Sequence, residues 1–279
     1  MNENTPTPVN PFAGMQMQNI NEGAVSIESS RAIAEAKSKL LLAKTFPRDT
    51  NAAYMQMMTA CSRMALAEKA LYSYPRGKTT VTGPTIRLAE ELARCWGNID
   101  FSWKELSQDE DGSEIQVYCW DMETNTISSQ TFVVPHYREA DGIKKKLTSA
   151  RDIYEHCANM AGRRMRARIL AVIPPYLVEE AIEQCKKTLE GNNGTPIEDR
   201  IKKMLLAFQK LGVKQELIEK RLGRAVDTMT PQDIAEYITI FNSLKDGNTV
   251  AADWFDVKAG ASRAADVAEK IAGGKTDGK

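Results

Sequence analysis

Histidine is nearly absent from this chain, with only His136 and His156 among 279 residues. Imidazole-based metal centres and Ser–His–Asp triads therefore have almost nothing to build on. Cysteine is sparse and scattered: Cys61, Cys95, Cys119, Cys157 and Cys185 are odd in number and never form a CxxC pair. That pattern argues against a disulfide framework and a zinc site, and it predicts reduced thiols and a cytoplasmic location. Long apolar runs are missing, none approaching the ~20 residues that span a membrane. The polar N-terminus lacks a basic segment followed by an apolar one, so no secretory signal is expected. Net charge is also missing, since 37 Lys and Arg balance 37 Asp and Glu.

What is present is a charge distribution that the zero total conceals. Residues 142–170 hold eight Lys or Arg against Asp152 and Glu155, while residues 105–125 hold seven acidic residues and no basic one. The basic segment begins with Lys144-Lys145-Lys146 and leads into LTSARDIYEHCANMAGRRMRARILAVIPP, where Arg163, Arg164, Arg166 and Arg168 fall within six residues. A polyanion such as a nucleic-acid backbone is the natural partner of such a patch.

The apolar content of 42% and charged content of 27% are those of a globular chain long enough for one good-sized domain and a small one. Residues 1–28, rich in Asn, Pro, Gln and Met, read as a disordered N-terminal arm. Residues 29–190 read as an α+β core. In it, a helix from Ser29 to about Lys44 and a second from Thr50 to Leu71 precede a turn-rich hairpin, Ser73 to Gly83. Gly83-Pro84 then opens a helix that Gly97 terminates. Ile99–Leu106, Glu114–Asp121 and Thr126–Val134 are strand candidates separated by turn segments of hairpin length, which predicts an antiparallel meander packed against long helices. The arginine-bearing helix runs to Pro174-Pro175, and another follows from Tyr176 to Leu189. Residues 191–195 read as a linker, 196–247 as a small C-terminal helical domain, and 248–279 as a mostly flexible tail with Trp254-Phe255 as an anchor.

Several motifs resolve into bland readings. Gly77-Lys78-Thr79 suggests a phosphate loop, but Tyr72 stands where the required glycine belongs and Pro75 interrupts the loop. A surface turn whose Arg76 and Lys78 touch phosphate is the functional alternative. Asp109, Asp111 and Glu114 fail calcium-loop spacing, because Ser113 and Trp120 occupy ligand positions. No metal, cofactor or catalytic residue is expected, and His136 reads as a surface side chain. On the arginine helix, Arg164 and Arg168 form one ridge and Arg163 and Arg166 another. They bind phosphate together with Lys144, Lys145, Lys146 and Arg151, or they pair internally with the acidic set at 105–125, Glu90 or Glu91. Trp103, Trp120 and Tyr137 lie on or beside the strands as candidates for stacking exposed bases.

Residues 79–171 resemble the core of single-strand annealing proteins, the phage recombinases of the RecT, Redβ and Erf type and their Rad-type counterparts. The resemblance rests on GPTIRLAEELARCWGNI leading into a strand, on EIQVYCWDMETNTISSQTFVV as the long hairpin, and on ANMAGRRMRARIL as the groove-lining helix. It implies a groove between hairpin and helix where Lys and Arg hold the phosphates of single-stranded DNA. It also implies assembly into homo-oligomeric rings or helical filaments, and ATP-independent annealing in phage recombination. By the same resemblance the C-terminal helical unit contacts a partner, such as a phage exonuclease or a host single-strand-binding protein. A coating or loading protein that never anneals, and a metal-dependent nuclease, are the alternatives.

Overall fold

The computed structural model describes residues 22–77, 79–140, 143–191 and 194–256. The chain divides after Phe46 into two units. The first contains helix α1, Glu22–Thr45. Residues 22–28, predicted as part of a disordered arm, are helical, and no proline interrupts the segment between Pro11 and Pro47. The rest of that arm, residues 1–21, lies outside the described residues, as do Lys78 and residues 257–279 of the tail.

The second unit begins with α2 (Thr50–Cys61) and α3 (Met64–Ala70). The single helix expected here breaks because Ser62 Oγ bonds back to the Met58 carbonyl at 2.8 Å and Arg63 turns extended (φ −88°, ψ 122°). Strands β1 (Leu71–Arg76) and β2 (Thr79–Pro84) pair antiparallel around a turn in which Gly77 adopts φ +62°. Pro84 ends β2 and does not open the next helix as predicted; Thr85 caps α4 (Ile86–Trp96) by accepting from Leu88 N. Gly97, at φ +74°, closes that helix.

Next comes the expected meander: β3 (Ile99–Gln108), β4 (Gly112–Asp121) and β5 (Thr126–Pro135), in spatial order β3-β4-β5. A second hairpin, β6 (Tyr137–Ala140) with β7 (Ile143–Lys146), carries the lysine run and leads into α5 (Ala150–Val172) and α6 (Pro175–Glu190). One core lies between α4, α5 and one face of the meander, where Ile115, Val117 and Cys119 meet Leu88, Leu92, Ala161 and Ile169. This is an α+β fold with an antiparallel sheet packed against long helices.

Helices α7 (Ile197–Lys210), α8 (Gln215–Leu222) and α9 (Pro231–Lys245) surround a second core centred on Phe208. The Phe208 ring lies 5.7–5.9 Å from Tyr237, Phe241 and Phe255, edge-on to each, and Trp254 and Phe255 are buried beside it. Helix α9 also packs on β1. Asn242 Nδ2 donates to Glu68 O (2.9 Å) and Leu71 O (2.8 Å), and Ser243 Oγ donates to Ser73 O. Thr230 and Asp233 form a reciprocal capping box at its start. Thr230→Ala is expected to lower stability by about 1 kcal/mol in chemical denaturation, the usual cost of a lost cap. Among the described residues no helix is long and apolar enough to cross a membrane.

Candidate nucleic-acid interface

Helix α5 buries Cys157, Ala161, Met165 and Ile169, one residue per turn, against the meander. That spine decides where the arginines go. Positions one before and three after Met165 share one flank, so Arg164 and Arg168 stand together; Arg166 points to the other flank and Arg163 toward the back of the helix.

Arg164 lays its guanidinium 4.7 Å from the ring centroid of Phe132 on β5, the edge strand of the meander. Arg168, one turn further along, is half-buried, and its Nε–H is buried without an acceptor among the described residues. A buried donor in that state is unusual in a folded protein. On the opposite side Arg166 stacks 4.6 Å over Tyr72 of β1. Arg163 Nη2 donates to the carbonyls of Asp246 (2.9 Å) and Gly247 (3.0 Å), the C-terminal end of α9. Exposed as a residue but with its guanidinium lodged there, Arg163 is held below the usual arginine pKa by burial and then by the charge of Arg166.

None of the four arginines forms an ion pair with a described carboxylate, so the internal-pairing alternative does not hold. Several of the acids that would have served are engaged elsewhere. Asp121 and Glu123 bind Arg48, Glu91 binds Arg94, and Asp109 accepts from the amides of Asp111 and Gly112. Glu90 is half-buried, and burial raises its pKa.

The other predicted residues are spread more widely. Lys144, Lys145 and Lys146 are exposed on β7, where Lys144 Nζ sits 5.0 Å from the Tyr137 ring. Lys146 lies 3.5 Å from Asp111, so the end of the lysine run stands beside the acidic turn. Arg151 is exposed in the first turn of α5, and Arg76 is exposed at the tip of the β1–β2 hairpin. Trp103, Trp120 and Tyr137 do not form one platform. Trp103 pairs with Val117 and shares its core-facing side, 6.1 Å from the ring of Tyr154. Trp120 faces the opposite side of the sheet and donates from Nε1 to Asn125 Oδ1 at 3.1 Å. Tyr137 belongs to the second hairpin. His136, expected on the surface, is 2% exposed, with Nε2 2.8 Å from Ser113 Oγ. Its backbone bonds Asp111 O and Leu147 N, and this fixes it at the junction of three strands.

Two tyrosines were missed. Tyr72 and Tyr74 stack at 6.2 Å with 15° between their planes, and alternation along β1 puts Arg76 on the same face. Gly83, opposite Tyr72, makes room for the ring: a Cβ there would lie 3.2 Å from it. The signal was the alternation in YSYPR, where Tyr, Tyr and Arg occupy every second position.

Basic side chains without carboxylate partners, flat aromatic faces and an exposed strand edge can hold a phosphodiester backbone and the bases attached to it. Among the described residues no group of His, Cys, Asp or Glu is arranged to hold a metal ion. No protein-family model, curated protein or solved structure matches the chain.

Proposed function

We propose that the protein binds single-stranded DNA and promotes annealing of complementary strands without ATP, in the manner of the phage recombinases its core resembles. The observation that carries this reading is the Arg164–Arg168 flank: two guanidiniums without a described carboxylate partner, beside the edge strand β5 of the meander. Phosphate oxygens match these guanidiniums in charge and geometry, since Arg presents donors in a planar fork. The Arg166–Tyr72–Tyr74 column supports it with a cation and two stacked rings. The order of elements, a hairpin and helix followed by a meander and a basic helix, fits the resemblance.

In this reading binding energy alone does the work. Arginines capture the backbone, the strand is held extended with bases outward, and a complementary strand pairs with them. The protein acts as a homo-oligomeric ring or filament in the cytoplasm of a bacterial host and is not an enzyme. Its C-terminal helices meet a phage exonuclease or a host single-strand-binding protein.

The test is an ATP-free annealing assay on complementary oligonucleotides, run with and without magnesium, with electron microscopy of the same sample. Accelerated annealing of intact strands by rings or filaments is expected. Binding without acceleration would make the protein a coating or loading factor, and cleavage in magnesium would make it a nuclease. Affinity is expected to fall steeply with salt, by about 0.7 in log K per log salt for each phosphate contact.

A further inference from the structure

We propose that the acidic turn between β3 and β4 is a built-in competitor for the lysine run of β7, an autoinhibitory contact that the phosphates of a bound strand must displace. The turn carries Asp109, Glu110 and Asp111, all exposed. One of them already holds a lysine. Asp111 Oδ1 lies 3.5 Å from Lys146 Nζ, although 93% of the Asp111 side chain and 57% of the Lys146 side chain remain open to solvent.

Backbone bonds fix this neighbourhood. His136 donates its N–H to Asp111 O at 2.8 Å, and its own carbonyl accepts from Leu147 N at 2.8 Å. Leu147 directly follows the lysine run, so one buried residue ties the turn to the end of β7. Ser113 Oγ, 2.8 Å from His136 Nε2, holds the imidazole from β4. Within the turn, Asp109 Oδ1 accepts from the amides of Asp111 and Gly112, each at 2.8 Å. To swing away from the lysines, the turn would have to break these bonds. Glu110 and Asp111 do not use their carboxylates to build it, so their charge is turned outward. An exposed ion pair such as Asp111–Lys146 adds little to stability. Its larger effect is on the field, because fixed negative charge within a Debye length of about 8 Å lowers the positive potential that draws a polyanion. A strand that reaches Lys146 must first replace the Asp111 carboxylate with its own phosphate.

This role rests on the lysine run lying on the DNA path of the annealing reading. The test compares the wild type with Glu110→Gln/Asp111→Asn, which keeps side-chain shape and leaves Asp109 to build the turn. Both are titrated by anisotropy with a fluorescein-labelled oligothymidylate at salt from about 50 to 200 mM. The variant is expected to bind roughly two- to tenfold more tightly at the low end. The advantage should shrink as salt rises, and the slope of log K against log salt should steepen by up to about 0.7, one contact's worth. In a Lys146→Met background the same double substitution should gain distinctly less, because the lysine that it releases is gone. Unchanged or weaker binding by the variant, or an equal gain with and without Lys146, overturns the proposal and leaves DNA binding by the wild type standing. Inorganic polyphosphate, titrated in parallel, separates the two readings. A gain for polyphosphate while neither protein binds the oligonucleotide would keep the competitor and sink the DNA reading. Failure of both proteins to bind either polyanion overturns both.

Discussion

Replacing Arg164 and Arg168 together by alanine is expected to weaken single-stranded DNA binding by about a hundredfold while leaving the chain folded. A hydrogen bond to a charged group contributes about 1.5–3 kcal/mol, so two lost phosphate contacts remove roughly 3 kcal/mol, and each ~1.4 kcal/mol is tenfold in affinity. The same change should lower the slope of log K against log salt by about 1.4, two contacts' worth. Stability should move little. Neither arginine is paired with a described carboxylate; the losses within the fold are the Arg164–Phe132 cation–π contact, worth about 0.5–1 kcal/mol, and the packing of the half-buried Arg168 stem. Anisotropy titrations at several salt concentrations, beside thermal melts, measure both. A double variant that binds and anneals like the wild type would remove this flank from the DNA path. Arg163→Ala is a useful contrast, because that side chain holds the end of α9 and its loss should register first in stability.

Arg48→Met is expected to destabilise the fold by about 3–5 kcal/mol, the cost of breaking a buried ion pair from one side. The Arg48 side chain is 7% exposed and Asp121 3%. Its guanidinium meets both Asp121 oxygens (2.8 and 2.5 Å) and Glu123 Oε1 (3.0 Å), and it covers the Trp96 ring at 4.5 Å. Methionine would fill the space and keep contact with Trp96, but it would leave two carboxylates facing a low-dielectric interior. The pH dependence follows. Burial by itself raises the pKa of Asp121 and Glu123, and the contacts of Arg48 with Asp121, and of Asn98 and then Arg48 with Glu123, more than offset this, holding both carboxyls below their ordinary values. Carboxyls with folded pKa values below the unfolded ones contribute stability that is present above the unfolded pKa, near 4, and lost as pH falls through the folded value. In the variant the Arg48 guanidinium no longer offsets burial, Asn98 and the backbone amides of residues 48, 123 and 124 do so only in part, and protonation relieves the remaining cost. The stability gap between wild type and Arg48→Met should therefore be widest at neutral pH and narrow below about pH 4–5, measured by denaturant titration. A gap independent of pH would mean that the variant suffers only from lost packing.

Local features of the chain were the most legible. The meander could be read because Ile99, Phe101 and Trp103 alternate and because Asp109–Gly112 and Glu123–Asn125 are turn chemistry at hairpin spacing. Thr230-Pro231 announced α9 in the same way. The β6–β7 hairpin escaped because its four-residue strands carry charge and no apolar alternation. The break at Ser62 escaped because a side-chain bond to Met58 O leaves no mark in hydrophobic spacing. At the candidate site, helical geometry separated the Arg164–Arg168 ridge from Arg163 and Arg166. The partners of that second pair, Asp246, Gly247 and Tyr72, lie more than eighty residues away in sequence. Trp103 and Trp120 looked equivalent until the pairing of β3 with β4 assigned them opposite faces, since a shift of one residue in register exchanges the two sides of a strand.

The contact of α9 with β1 has a bearing on solubility. Among the described residues strand β1 has one strand partner, β2, and a two-stranded ribbon with a bare rim invites pairing with other molecules. Asn242 and Ser243 bond to the carbonyls of Leu71 and Ser73, two acceptors on that rim, in place of a third strand. The last helices thus serve the hairpin as a sheath. A chain cut after α6 should retain the arginine helix yet associate through the uncovered rim of β1, and precipitate where the whole protein stays in solution.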